Sequence, residues 1–257
     1  MGWCKRVRCS PMPLNYSRKL TGKVRTAGAN RHLGLVLAFV AGATNAGGFL
    51  AVQQYTSHMT GIVSATADFL ALGTLDLALA GLGALLSFII GAACSAILVN
   101  YSRQHGLHSE FALPLMLEAV LLLCFGLLGA RLAIIDGMFV SLTVILLSFI
   151  MGLQNAVVSK LSHAEIRTTH VTGIVTDIGI ELGKAMYRNA NVVVNRARLQ
   201  LLSLLLLFFF VGGIAGAFGF KLVGYGATVP LALLLVALAS VPIADDVAQV
   251  LRRRQKH

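Results

Sequence analysis

Apolar residues gather in six runs along this chain, at residues 33–52, 80–101, 111–130, 137–157, 199–220 and 225–243, with short polar stretches between them. About 20 predominantly apolar residues make a helix long enough to cross the ~30 Å hydrocarbon core of a bilayer. Inside hydrocarbon the backbone must satisfy its own hydrogen bonds, which leaves helices and closed barrels. The Leu-rich runs lack the alternation of barrel strands, so the pattern predicts an all-α, polytopic transmembrane helical bundle. Two further apolar stretches, residues 60–76 and 172–187, are shorter. A helix of about 15 residues reaches only about 22 Å, so each reads as a broken or re-entrant segment. Thr60 and Thr172 stand at their starts as expected helix N-caps.

The two short stretches carry one motif twice. Ser57-His58-Met59-Thr60-Gly61-Ile62-Val63 returns as Thr169-His170-Val171-Thr172-Gly173-Ile174-Val175, and upstream Gly42-Ala43-Thr44-Asn45-Ala46 returns as Gly152-Leu153-Gln154-Asn155-Ala156. Self-similarity at a fixed period signals duplication. The expected organisation is two similar halves of three spans each, residues 33–130 and 137–245, with one short helix per half, in a single transmembrane domain over 33–245. A basic arm at 1–32 precedes it and a basic tail at 246–257 follows. An odd number of crossings per half inverts the second half, whereas crossing by both short helices gives eight spans.

Composition agrees with a membrane setting, since 57% of residues are hydrophobic and 12% charged, against about 45–50% and 25% in soluble domains. The net charge of +11 points toward nucleic acid only until its placement is considered. Of 21 Lys and Arg, eight fall in residues 1–32 and four in Arg252-Arg253-Arg254-Gln255-Lys256, without the interleaved aromatics of a nucleic-acid surface. Six spans put 19 cations on the side of the termini and leave Arg131 and Lys221 on the other; eight spans put 17 against 4. Both termini are therefore expected in the cytoplasm, with the basic tails holding orientation and touching anionic lipid. The expected partners are the bilayer and an unknown small solute, with no nucleic acid. Cys94 and Cys124 lie in apolar helices and read as small hydrophobes. No cofactor or metal site is implied. With no nucleotide loop, no HExxH and no Ser/His/Asp arrangement in context, the chain reads as a non-enzyme.

Chemistry is expected where polar groups interrupt the apolar runs. A charged group inside the bilayer costs about 2.5–3.5 kcal/mol on insertion scales, which singles out Asp68, Glu118 and Asp177 as candidate ion-coupling residues. Interhelical hydrogen bonding or interfacial exposure is the plainer reading of each. Asn45, His58, Thr60 and Gly61, with Asn155, His170, Thr172 and Gly173 in the second copy, form the candidate substrate site. The free N–H groups and positive dipole end of a half-helix favour an anionic group, and paired broken helices in two repeats point to a transporter site. Neither imidazole has a second ligand at i+3 or i+4, so capping or loop hydrogen bonding is their expected role. Gly212 and Gly216 form a GxxxG pair, which suits packing within one chain as well as a homodimer.

The stretch Gly42-Ala43-Thr44-Asn45-Ala46-Gly47-Gly48-Phe49-Leu50, the two His-x-Thr-Gly motifs, Gly152-Leu153-Gln154-Asn155-Ala156 and the Leu-flanked Glu118 together resemble the YoaK family of bacterial membrane proteins, a family of unknown function. The resemblance covers residues 33–245. That family's common pattern has Asp near the place of Asn45 and Asn near that of His58, and this sequence departs at both. The resemblance implies an integral protein of the bacterial inner membrane with about six helices, and no particular activity. Two functions stay open: transport of a small solute, anionic in one form, bound between the halves; or a non-transporting structural or regulatory membrane protein whose polar residues only stabilise helix packing.

Overall fold

The computed structural model describes residue 21 and residues 27–132, 138–161, 168–187 and 193–254. Most of the basic arm expected at 1–32 lies outside them. Among the described residues the chain forms helices and no strand: α1 (Ala27–Val52), α2 (Met59–Ala71), α3 (Leu75–Gln104), α4 (Ala112–Leu132), α5 (Met138–Leu161), α6 (Val171–Met186), α7 (Arg196–Val223) and α8 (Thr228–Arg254). Four stretches are long and apolar enough to cross a membrane: Gly28–Val52, Leu75–Gln104, Leu142–Leu161 and Arg196–Gln249. The last holds 54 residues, about 80 Å of straight helix, and is broken by a 3-10 turn at Gly224–Ala227. Beyond that turn the partners change, α7 packing on α1 and α8 on α4. α4 has 21 residues, whereas α2 and α6 have 13 and 16. α8 runs on to Arg254, so most of the tail expected after residue 245 is helical.

Small residues decide which helices meet. On the seam between α1 and α7, a Cβ on Gly42 would overlap the Phe209 carbonyl oxygen, and one on Gly212 would overlap that of Phe39. The seam between α3 and α5 repeats this, with Gly152 against the Phe88 carbonyl and Gly91 against that of Phe149. Lipid tails are as apolar as leucine, so close backbone approach is what holds such helices together. Gly212 and Gly216 are both taken up by α1 of the same chain.

Helix directions follow from the cross-contacts. Partner numbers rise together along α1 and α7 (Phe39 with Gly212, Gly47 with Phe220). They also rise together along α3 and α5, where Ser87 Oγ donates to Ile145 O at 2.7 Å and Lys160 Nζ to Asn100 Oδ1 at 2.8 Å. Both pairs are parallel. Between α1 and α5 one number falls as the other rises, since Asn30 Nδ2 donates to Leu161 O at 3.2 Å and Gln154 Nε2 to Leu37 O at 3.3 Å. These two helices are antiparallel, and Leu33, Leu37, Leu147 and Ile150 are buried in the core they share. α4 and α8 are antiparallel as well, with Gly126 facing Thr228 at one end and Ser109 N donating to Asp246 Oδ2 at 2.9 Å at the other.

Candidate functional site

After α1 the chain turns back along the helix it has just left. Gln53 takes a left-handed φ of 55°, and Tyr55 then stacks on Phe49 with ring centroids 4.6 Å apart. Thr56 Oγ1 lies over Gly48, where a Cβ would stand 3.6 Å from it and 3.0 Å from Leu147 Cδ1. Ser57 Oγ donates to Asn45 Oδ1 at 2.7 Å. As the chain advances from Tyr55 to Ser57 its partners retreat from Phe49 to Asn45. α2 therefore begins beside Asn45, well back from the end of α1. It then runs antiparallel to α3, with Thr66 against Gly81 and Thr74 N donating to Phe69 O at 2.9 Å. Gly73, with φ +74°, makes that tight turn because it has no Cβ to clash in the left-handed region.

The second copy shares this geometry where it is described. Thr169 Oγ1 donates to Asn155 Oδ1 at 2.5 Å, and Asn155 Nδ2 donates to Met151 O at 2.7 Å. α6 returns antiparallel to α7, with Arg198 Nη2 donating to Asp177 Oδ2 at 2.9 Å and Asn195 N to Glu181 Oε2 at 2.9 Å. Residues 162–167 lie outside the described part.

The helix starts differ from the expectation. α2 opens at Met59 with His58 as N-cap, and α6 at Val171 with His170. The carbonyls of both histidines already accept the N–H groups of Ile62 and Ile174, each at 3.1 Å. Thr60 and Thr172, expected as caps, sit in the second helical position and are exposed. Each imidazole lies over the glycine three residues on, so that a Cβ on Gly61 would stand 2.7 Å from His58 Nδ1, and one on Gly173 would overlap the His170 ring. The repeated His-x-x-Gly spacing thus leaves room for a ring folded back on the helix start.

The three candidate acids have different surroundings. Asp68 is exposed on α2, and Asp177 is paired with Arg198. Glu118 is fully buried in α4, and neither of its carboxyl oxygens has a hydrogen-bond donor among the described residues. Two further carboxylates, outside the candidate residues, hold structure. Glu181 is buried and accepts from Lys184 Nζ at 2.8 Å and from Asn195 N, bonds that hold its carboxyl below the usual range. Asp246 accepts from His108 N at 2.7 Å, His108 Nδ1 at 3.0 Å and Ser109 N. It straps the α3–α4 loop to α8.

A cavity of about 430 Å³ opens beside α2, lined by Gln53, Gln54, Tyr55, His58, Gly61 and Thr66 among others. The polar run Gln53-Gln54-Tyr55 at the end of an apolar span was its signal in the sequence. The expectation that both motifs meet in one site is not what the packing gives. α2 packs on α3 and α6 on α7, because α2 turns tightly at Gly73 into α3 and α6 bonds to the start of α7 through Asp177 and Glu181, and the cavity takes its lining from the first copy alone. Among the described residues no three His, Cys, Asp or Glu side chains converge as metal ligands.

No curated protein and no solved structure matches this chain. A family model does match, over residues 33–241, a span that contains α2 to α7 whole, both motif copies and the cavity. The chain belongs to the family described as "Protein of unknown function (DUF1275)".

Proposed function

We propose that this protein is a six-span, inverted-repeat membrane protein that moves a small solute across the bilayer, using its two re-entrant helices as the solute-handling elements. The observation that carries this reading is the reversal at Tyr55, Thr56 and Ser57, which brings the start of α2 back to Asn45. Asn45 and Asn155 each stand about 8 Å past the middle of their own helix at 1.5 Å per residue, inside a hydrocarbon half-thickness of about 15 Å. Because α1 and α5 are antiparallel, the two short helices enter from opposite faces.

The helix directions support six crossings. α3 runs parallel to α5 and so opposite to α1, which requires α2 to leave by the face it entered. The same holds for α6, since α7 runs with α1 and against α5. The crossings are then α1, α3, α4, α5, α7 and α8, with both termini on one face. That face carries 19 of the 21 cations, so the positive-inside rule makes it the cytoplasmic side of the inner membrane.

Irregular backbone at membrane depth is tolerated where it is buried in protein or lines a water-filled cavity. Gln53, Gln54, Tyr55 and His58 line a cavity whose volume falls within the range of about 300–1,000 Å³ typical of small-ligand sites. A half-helix N-terminus directed into the membrane offers free N–H groups and a positive dipole end, and His58 stands beside it. These features favour a solute with an anionic group, held by Asn45, His58, Thr60 and Gly61, and in the second copy by Asn155, His170, Thr172 and Gly173. Uptake into proteoliposomes across a panel of labelled small anions, cations and neutral solutes tests the reading. Saturable uptake of an anion, weakened by Asn45→Ala, is the expected result. Uptake of nothing in the panel, with no thermal shift from any anion, would refute it.

A further inference from the structure

Glu118 is at the mid-height of the bundle. Phe125 packs on Phe220 with ring centroids 6.4 Å apart, and Phe220 lies against Gly47. Seven residues back from Phe125, about 10 Å along α4, Glu118 is level with Val40 in the middle of α1. Four other side chains near this level are buried with an oxygen that has no partner among the described residues: Thr44 on α1, Ser95 on α3, and Ser148 and Gln154 on α5. Beyond them, toward the two faces, the hydroxyls of Thr56 and Thr168 in the re-entrant loops are buried and unpartnered too. Buried polar groups in folded proteins almost always find a partner, ordered water included. Unpartnered oxygens on α1, α3, α4 and α5, all within about 6 Å of the height of Glu118 at 1.5 Å per residue, therefore mark the middle of an otherwise apolar bundle as a place where water is held.

We propose that Glu118 is the proton-carrying group of the solute pathway. Water held by Thr44, Ser95, Ser148 and Gln154 brings the proton to it and takes it away, and solute and proton move together. The proposal rests on the transporter reading above. In the step itself the Glu118 O–H bond breaks, the proton passes to a water molecule, and the carboxylate is left; entry from the other face reverses this. Among the described residues no cation pairs with Glu118. The charged groups on the elements packed against α4 lie toward helix ends: Asp76 and Arg103 on α3, Lys160 on α5, and Asp245, Asp246 and the Arg252-Arg253-Arg254 run on α8. The other titratable groups there are Cys94 and Tyr101 on α3 and Tyr225 in the 3-10 turn. Arg103 pairs with Glu110, Lys160 with Asn100 and Asp246 with His108.

Two measurements on the full-length protein in liposomes test the proposal. Dicyclohexylcarbodiimide adds to carboxylic acids in apolar surroundings, and mass spectrometry should place its adduct on the Glu118 peptide of the wild type and find none there in Glu118→Gln. With a pH dye inside the vesicles, the internal acidification that accompanies solute entry should slow by about 100-fold in Glu118→Gln, the low end for losing a proton-transfer group. Solute exchange at equal concentrations should persist in that variant. An unlabelled Glu118 in the folded wild type, or wild-type acidification by Glu118→Gln, overturns the proposal. A wild type that labels at Glu118 and moves no solute overturns the transport reading while the protonated carboxyl stands.

Discussion

Replacing Gly152 with alanine probes the seam on which the bundle depends. A Cβ at this position overlaps the carbonyl oxygen of Phe88 and stands 3.0 Å from Phe88 Cα. These are backbone atoms of a helix and cannot swing aside, so α5 must move away from α3. Overpacking a filled contact costs about 1–3 kcal/mol, and the better helix propensity of alanine returns up to about 1 kcal/mol. The net loss is up to about 2 kcal/mol, deepened if separation also loosens Gly91 from Phe149 on the same seam. At roughly 2–4 °C per kcal/mol for a chain of this size, thermal unfolding in detergent, followed by circular dichroism, should shift down by up to about 8 °C. Gly83→Ala is the matched control, because a Cβ there meets nothing within 4 Å. It gains the propensity without the clash and should leave unfolding unchanged or raise it by about 2–4 °C. If Gly152→Ala unfolds at or above the temperature of Gly83→Ala, the two helices are not in backbone contact and the packing argument fails.

Three further outcomes follow from the geometry. Asn45→Ala and Ser57→Ala should each cost about 0.5–1.5 kcal/mol, and the double variant should cost less than their sum, since both remove one hydrogen bond; full additivity in chemical unfolding would show that the bond does not form. Gln53→Gly should stabilise by about 1 kcal/mol by relieving a left-handed backbone, and a loss of stability would contradict the turn. Asp246 accepts from His108 N, His108 Nδ1 and Ser109 N, and a hydrogen bond to a charged group is worth about 1.5–3 kcal/mol. Asp246→Asn should accordingly lower stability in chemical unfolding by about 1.5–3 kcal/mol, and an unchanged midpoint would argue against the strap.

The long helices were legible because twenty-residue apolar runs leave the backbone no other choice in lipid. Their ends were less so: α8 continues past the apolar run, where Asp246 is buried under the α3–α4 loop. The threonine caps were expected two residues too late, at Thr60 and Thr172, where the cap positions are His58 and His170. A threonine ahead of an apolar run is a good cap signal, but here the carbonyl of the preceding histidine already closes the first turn. The short length of α2 and α6 was readable, yet the depth at which α2 starts depends on a side-chain bond between Asn45 and Ser57, which no local pattern reports. Nor could spacing say that α2 lies on α3 and α6 on α7, because the choice is made by the turn at Gly73 and by the acceptor Glu181. Glu118 was visible as a lone acid in an apolar run. That both its oxygens lack donors needed the packing.

The central claim, that α2 enters and leaves the membrane by one face, is tested most directly by cysteine labelling. On a cysteine-free background, Leu72→Cys at the α2–α3 turn, Gln53→Cys at the end of α1 and His105→Cys after α3 are treated with a membrane-impermeant maleimide in vesicles of known orientation. The account predicts that Leu72→Cys and Gln53→Cys label from the same face and His105→Cys from the other. Labelling of Leu72→Cys from the face of His105→Cys would mean that α2 crosses the bilayer, and would contradict it.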